Sequence, residues 1–130
     1  MSERRTRRRP GENRERLQEA GLIEFGLFGY HGTSTGRIAA RAEVPQPHVY
    51  ANFRTKQDLF LACLELVLPR LAIGRDDAAA ELFLYQAYAA AGTPELRAQL
   101  ASPLRRISDE LGEAALAALL LRAARVLAAS

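Results

Sequence analysis

The side chains with the widest hydrogen-bonding repertoire are crowded into one short stretch, VPQPHVYANFRTKQDLF, residues 44 to 60. Gln46, His48, Tyr50 and Asn52 supply donors and acceptors able to reach base edges or phosphate oxygens, and Pro47 can meet a thymine methyl. Catalytic constellations are much poorer. His31 and His48 are the two histidines, and the single cysteine, Cys63, sits in an apolar helical row. No His-Cys or His-Glu spacing suits a metal ion, and Cys63 reads as a small buried hydrophobe rather than a nucleophile. The segment GYHG has no preceding strand and no following Gly-Lys-Ser/Thr, as a phosphate-binding loop would. Neither an enzyme nor a metal or other cofactor is expected.

A polar set on so short a segment needs helices to hold it. Period-two alternation and hairpin dipeptides are missing, whereas apolar residues recur at intervals of three and four, so the chain is expected to be all-α. Leu17, Ala20, Gly21, Phe25 and Phe28 mark a first helix that ends at Gly29 to Gly32. Gly21 and Gly26 each cost it about 1 kcal/mol relative to Ala, so packing must hold it. Thr33 or Ser34 caps a short second helix bearing Ile38, Ala39 and Ala42. Pro47 biases Gln46 away from the α region, which makes Gln46 an N-cap and Pro47 the first residue of a third helix. Thr55 opens a fourth, with TKQD as a capping box before Leu59, Phe60, Cys63, Leu64, Val67 and Leu68; Pro69 should kink or end it. Residues 77 to 91 read as one further helix, Thr93-Pro94 starts another, and Gly112 separates that from a last, Leu-rich one.

Length and charge narrow the setting. The chain has 130 residues, 48% of them apolar, enough for a core. It lacks the roughly 20-residue apolar run of a membrane span, and no apolar run follows the basic amino terminus as in a secretory signal, so a cytoplasmic protein is expected. The net charge of +3 is unevenly placed: residues 1 to 56 hold eleven Lys and Arg against six Asp and Glu, residues 57 to 130 seven against nine. A basic front and an acidic rear suggest that the front meets a polyanion.

Two short helices joined by a tight turn, the second apolar on one side only, describe a helix-turn-helix. Ile38, Ala39, Ala42, Val44 and Val49 form its buried side, with Phe53 in the core. Residues 14 to 64, with the matching text RLQEAGLIEFGLFGYHGTSTGRIAARAEVPQPHVYANFRTKQDLF, resemble the amino-terminal DNA-binding domain of the TetR family of transcriptional repressors. The matching marks are the first helix ending in Phe and Gly-Tyr, Thr-Ser before the second, Ile-Ala-x-x-Ala-x-Val through the turn, x-x-Tyr-x-x-Phe on the third and Lys-x-x-Leu opening the fourth. Glu43, at the usual turn glycine, Gly36, at a site that often carries a longer polar side chain, and Glu24, at a usually apolar site, depart from the pattern.

The resemblance implies a three-helix DNA-binding head followed by a short helical regulatory and dimerisation region: a basic disordered arm over 1–12, the helix-turn-helix over 13–56, and a helical effector and dimerisation region over 57–130, shorter than the family's usual one. It places Ser34, Thr35 and Arg37 at the start of the second helix against phosphate or a base edge, and Gln46, Pro47 and His48 in the major groove. Tyr50, Asn52 and Lys56 fall on or near the phosphate backbone, with core packing the other reading of Tyr50. Arg4, Arg5, Arg7, Arg8 and Arg9 would lie on phosphate or in the minor groove. The implied function is repression from a palindromic operator in double-stranded DNA by a homodimer, with the last helix, Leu116 to Leu127, as the seam and a small-molecule effector as the release signal. Phe83, Tyr85 and Tyr88 are either effector-binding residues or, as their helical spacing favours, ordinary core aromatics. The alternative is a non-enzymatic helical module that binds nucleic acid non-specifically through its Arg-rich arm.

Overall fold

The computed structural model describes residues 8–72 and 76–129. These form eight helices: α1 (Glu12–Phe28), α2 (Thr35–Ala42), α3 (Pro47–Asn52), α4 (Lys56–Leu64), α5 (Val67–Ala72), α6 (Ala78–Ala90), α7 (Pro94–Leu111) and α8 (Glu113–Ala129). No strand occurs among the described residues, so the all-α expectation holds. Arg4, Arg5 and Arg7 lie outside them. Of the basic arm, residues 8–12 are placed against the fold, and α1 already begins at Glu12, within the span read as disordered.

Local chemistry sets most boundaries. Ser34 caps α2 by accepting from the Arg37 amide at 3.1 Å, and Thr55 caps α4 by accepting from the Asp58 amide at 3.0 Å. The side chain of Asp77 caps α6 through the Ala80 amide at 3.0 Å. Gly112, at φ 87°, separates α7 from α8 as expected. Gln46 does precede α3 and Pro47 does open it, but Gln46 itself is helical, at φ −56° and ψ −38°, and makes no side-chain cap bond. The amides of His48 and Val49 instead bond to the carbonyls of Pro45 and Gln46, so the tight turn overrides the bias a proline imposes on its predecessor.

The long fourth helix divides earlier than Pro69. α4 stops at Leu64 and α5 resumes at Val67, with Pro69 inside the first turn of α5. A proline there has no N–H for the carbonyl of Glu65 and its ring would crowd that carbonyl, so the break falls just upstream. Phe28, the last residue of α1, is 46% exposed and lies under the Arg37 guanidinium.

The core is continuous from front to rear. Phe25 of α1, Phe60 of α4 and Phe83 of α6 are fully buried and mutually packed, with centroids 4.9 Å apart for Phe25 and Phe60 and 4.7 Å for Phe60 and Phe83. The glycines of α1 admit neighbours closely: a Cβ on Gly21 would lie 2.6 Å from Cys63 Sγ, and one on Gly26 would lie 3.2 Å from the Phe83 backbone nitrogen. The packing expected to offset their poor helix propensity is therefore α4 on one and α6 on the other. At the far end, α8 buries Leu119 and Ala123, and Arg122 donates to both carboxylate oxygens of Glu81, from Nε at 3.3 Å and Nη2 at 2.9 Å, tying α8 to α6.

Candidate nucleic-acid interface

The turn between α2 and α3 rests on Glu43, which adopts the left-handed conformation at φ 57° and ψ 45°. The Val44 amide reaches back to the Ala39 carbonyl at 3.0 Å and the Glu43 amide to the Ala40 carbonyl at 3.2 Å, the six-residue closure that ends a helix at a left-handed residue. A glycine would adopt that conformation without strain; Glu43 is held there by arginines from the front of the chain. Arg16 Nε donates to the Ala42 carbonyl at 2.9 Å and Arg8 Nη2 to the Glu43 carbonyl at 3.0 Å, while Arg16 Nη2 also meets Glu43 Oε1 at 3.2 Å.

α3 turns Val49 inward, 1% exposed, and leaves Gln46, Pro47, His48 and Tyr50 at the surface. Tyr50 is not a core residue: its ring is 54% exposed and its hydroxyl lies 3.0 Å from Thr35 Oγ1, which joins the start of α2 to the middle of α3. Gly36 faces the Gln46 amide, 3.5 Å from where a Cβ would stand. Gly36, Gln46 and Tyr50 thus form one surface, with Ser34 exposed at its edge, while Thr35, expected against phosphate or a base edge, is buried beneath it with its hydroxyl taken up by Tyr50. The Asn13 amide donates to His48 Nδ1 at 3.3 Å, which leaves Nε2 to carry the ring proton and to donate outward.

Asn52, Arg37 and Lys56 are also engaged within the fold. Asn52 Nδ2 donates to the His48 carbonyl at 2.8 Å. Arg37 Nε donates to Glu24 Oε1 at 3.2 Å, and its guanidinium covers the Phe28 ring at 4.5 Å. Lys56 Nζ lies 4.5 Å from the Tyr30 ring centroid; burial lowers its ammonium below the ordinary lysine range, opposed by nearby Glu95. Burial, seconded by Glu95, raises the Tyr30 phenol above its ordinary range.

Residues the sequence did not reveal as part of this surface are Asn13, Arg14 and Arg16. Arg14 donates to the Asn52 carbonyl at 3.4 Å and stacks over Phe53 at 4.5 Å. Their partners on this surface are 26 to 39 positions away, so no local spacing signals them.

Phe83, Tyr85 and Tyr88 lie on α6. Phe83 is fully buried in the aromatic core, Tyr88 donates to the Leu104 carbonyl at 3.4 Å, and none of the three lines an apolar cavity that the described residues form in the rear region. That cavity, about 530 Å³, lies where α4, α5 and α7 meet, lined by Leu61, Leu64, Leu68, Pro69, Pro103 and Ile107, with Glu65, Gln99 and Arg106 as its polar residues. Side-chain spacing placed the aromatics on a helix, but the break before Pro69, which opens the cavity, sets its location. Among the described residues no group of three or more His, Cys, Asp or Glu is placed to hold a metal ion, and no helix is long and apolar enough to cross a membrane.

A short capped helix, a left-handed turn and a second helix with its polar face outward define a helix-turn-helix domain, here followed by further helices. Residues 17–63 match the family described as bacterial regulatory proteins, tetR family, so this part of the chain is similar to that family's helix-turn-helix domain. Over 66 residues it is 36% identical to the HTH-type transcriptional repressor SCO4008 of Streptomyces coelicolor, a stretch covering 51% of this chain and 34% of that protein. The chain therefore spans about a third of the length of that curated relative. No solved structure matches it.

Proposed function

We propose that the protein is a sequence-specific DNA-binding transcriptional repressor that works in the cytoplasm, without enzymatic activity, on a palindromic operator. The observation that carries this reading is the outward face of α3: Gln46, Pro47, His48 and Tyr50 are exposed while Val49 is buried, on a helix fixed to α2 by its turn and by the Tyr50–Thr35 hydroxyl pair. The His48 Nε2–H is free to donate to a major-groove acceptor such as guanine N7 or O6, and Gln46 suits adenine. Ser34, Tyr50 and Asn52 flank these residues as phosphate contacts, with Thr35 holding the Tyr50 hydroxyl from beneath, and Lys56 joins them by leaving the Tyr30 ring.

One such helix contacts too few bases for tight specific binding, so the reading requires two copies, with recognition helices about 34 Å apart. α8 supplies the seam: it buries Leu119 and Ala123 internally, while Leu121 is 52% exposed. A small-molecule effector releases the operator, and its place is the apolar cavity between α4, α5 and α7 rather than the Phe83, Tyr85 and Tyr88 positions. A ligand there acts only by preferring one arrangement of α4; a hundredfold preference is worth about 2.7 kcal/mol.

Selection from random duplexes at physiological salt, followed by sequencing of the retained DNA, tests the reading. An enriched inverted repeat is the expected result. Binding without enrichment, vanishing as salt rises, would replace it with non-specific binding through the basic arm.

A further inference from the structure

Glu24 is the one charged side chain of α1 that the fold buries, 4% exposed. Its carboxylate is shared between two cations one turn apart on α2: Oε1 accepts from Arg37 Nε at 3.2 Å, Oε2 from Arg41 Nε at 2.5 Å. The Arg37 guanidinium also lies over the Phe28 ring at 4.5 Å, so both of its holding contacts are on α1. Yet Arg37 belongs to the first turn of α2, the turn whose Thr35 meets Tyr50 and whose Gly36 meets Gln46. The arginine side chains remain 57% and 41% exposed, so solvent still reaches them.

An apolar side chain would fill this position without the desolvation cost of a buried carboxylate. What the carboxylate does that Leu or Met would not is cancel positive charge on a helix that crosses the DNA backbone. We propose that Glu24 is a specificity-determining positioning residue: it draws Arg37 and Arg41 back onto α1 and neutralises part of their charge, so that α2 adds little sequence-independent attraction. The base contacts of α3 then carry a larger share of binding. This inference rests on the DNA-binding reading above.

The test uses the full chain and two probes, a duplex retained by selection and a random-sequence duplex of the same length, titrated between 50 and 200 mM salt. Glu24→Gln keeps the shape and removes the charge. It is expected to steepen the salt dependence by about 0.9 in log-log slope, one added phosphate contact, which amounts to about threefold over that salt range. Binding to the random duplex should tighten and the preference for the selected duplex should fall. Adding Arg37→Gln should return the slope to its starting value, whereas Arg37→Gln alone should change it far less. A Glu24→Gln protein that melts cooperatively and shows an unchanged or shallower slope overturns the proposal. Should that variant not fold, Arg37→Gln alone decides: a full loss of about 0.9 in slope means the arginine already sits on phosphate, which also overturns it. Failure of the unsubstituted chain to bind any duplex removes this inference together with the reading beneath it, and is distinguishable from both results.

Discussion

Tyr50 OH and Thr35 Oγ1 lie 3.0 Å apart, so the two helices of the helix-turn-helix are pinned by a hydroxyl pair as well as by the turn. Thr35 is 9% exposed and has little access to replacement water. Tyr50→Phe is therefore expected to cost about 1 kcal/mol of stability. Adding Thr35→Val should cost less than the two single changes combined, and denaturant titration of the four proteins reads that coupling. Strict additivity would show that the pair does not hold the helices together.

The base-reading role of His48 separates from the phosphate role of Lys56 by sequence dependence. His48→Ala should flatten the preference among duplexes, while Lys56→Ala should weaken all of them alike and reduce the salt slope by about 1. Equal effects of both changes on every duplex would remove His48 from base readout.

Two glycines predict opposite outcomes for the same substitution. A Cβ on Gly21 would stand 2.6 Å from Cys63 Sγ, so Gly21→Ala should destabilise by about 1–3 kcal/mol despite better helix propensity, and Cys63→Ala should recover part of the loss. At Gly36 the nearest atom is 3.5 Å away, and Gly36→Ala should stabilise by up to about 1 kcal/mol. Thermal melts of both variants check the pair, and a stabilised Gly21→Ala would refute the close approach of α1 and α4.

At the turn, Glu43→Gly removes the strain of φ 57° together with an exposed ion pair to Arg16. The strain is worth about 1–2 kcal/mol and an exposed pair about 0–1, so a net gain of roughly 1 kcal/mol is expected in the denaturation midpoint. A loss would show that Arg16 holds the turn chiefly through the carboxylate rather than through the Ala42 carbonyl.

Alkaline stability tests the burial of Cys63. Burial, seconded by Glu19 and Glu65, raises its thiol well above the ordinary value of 9.0. The unfolded chain thus gives up this proton before the folded one does, and the stability the thiol contributes is present below pH 9 and lost as pH rises further. Urea titrations at pH 7.5 and 10 should show the drop, smaller in Cys63→Ala, and thiol reagents should label the native protein slowly. Rapid labelling at pH 7.5 would place the thiol at the surface.

How far the sequence carried this reading depends on the range over which each feature is determined. Caps and punctuation are local, so Ser34, Thr55, Pro94 and Gly112 marked their boundaries, and the period-3.6 rows identified Val49 and Phe53 as core. Gln46 was placed correctly before α3, but its backbone is helical because tertiary closure of the turn overrides a local bias. The cavity was illegible for a related reason: it depends on where α4 breaks and on α7 returning to that break from far along the chain. The arginine contacts to the turn carbonyls were equally illegible, since any exposed arginine has the same local appearance.

The shared Phe25, Phe60 and Phe83 cluster has a mechanical consequence. The front is packed on its rear through these interlocking rings. Any rearrangement that swings α4 must drag Phe60 against rings on α1 and α6, so the two ends behave like one stiff lever rather than beads on a string. Severing the chain between α4 and α6 would leave the front half with Phe25 and Phe60 bared to water, and an isolated front fragment would be a sticky, poorly folded remnant rather than a miniature of the whole.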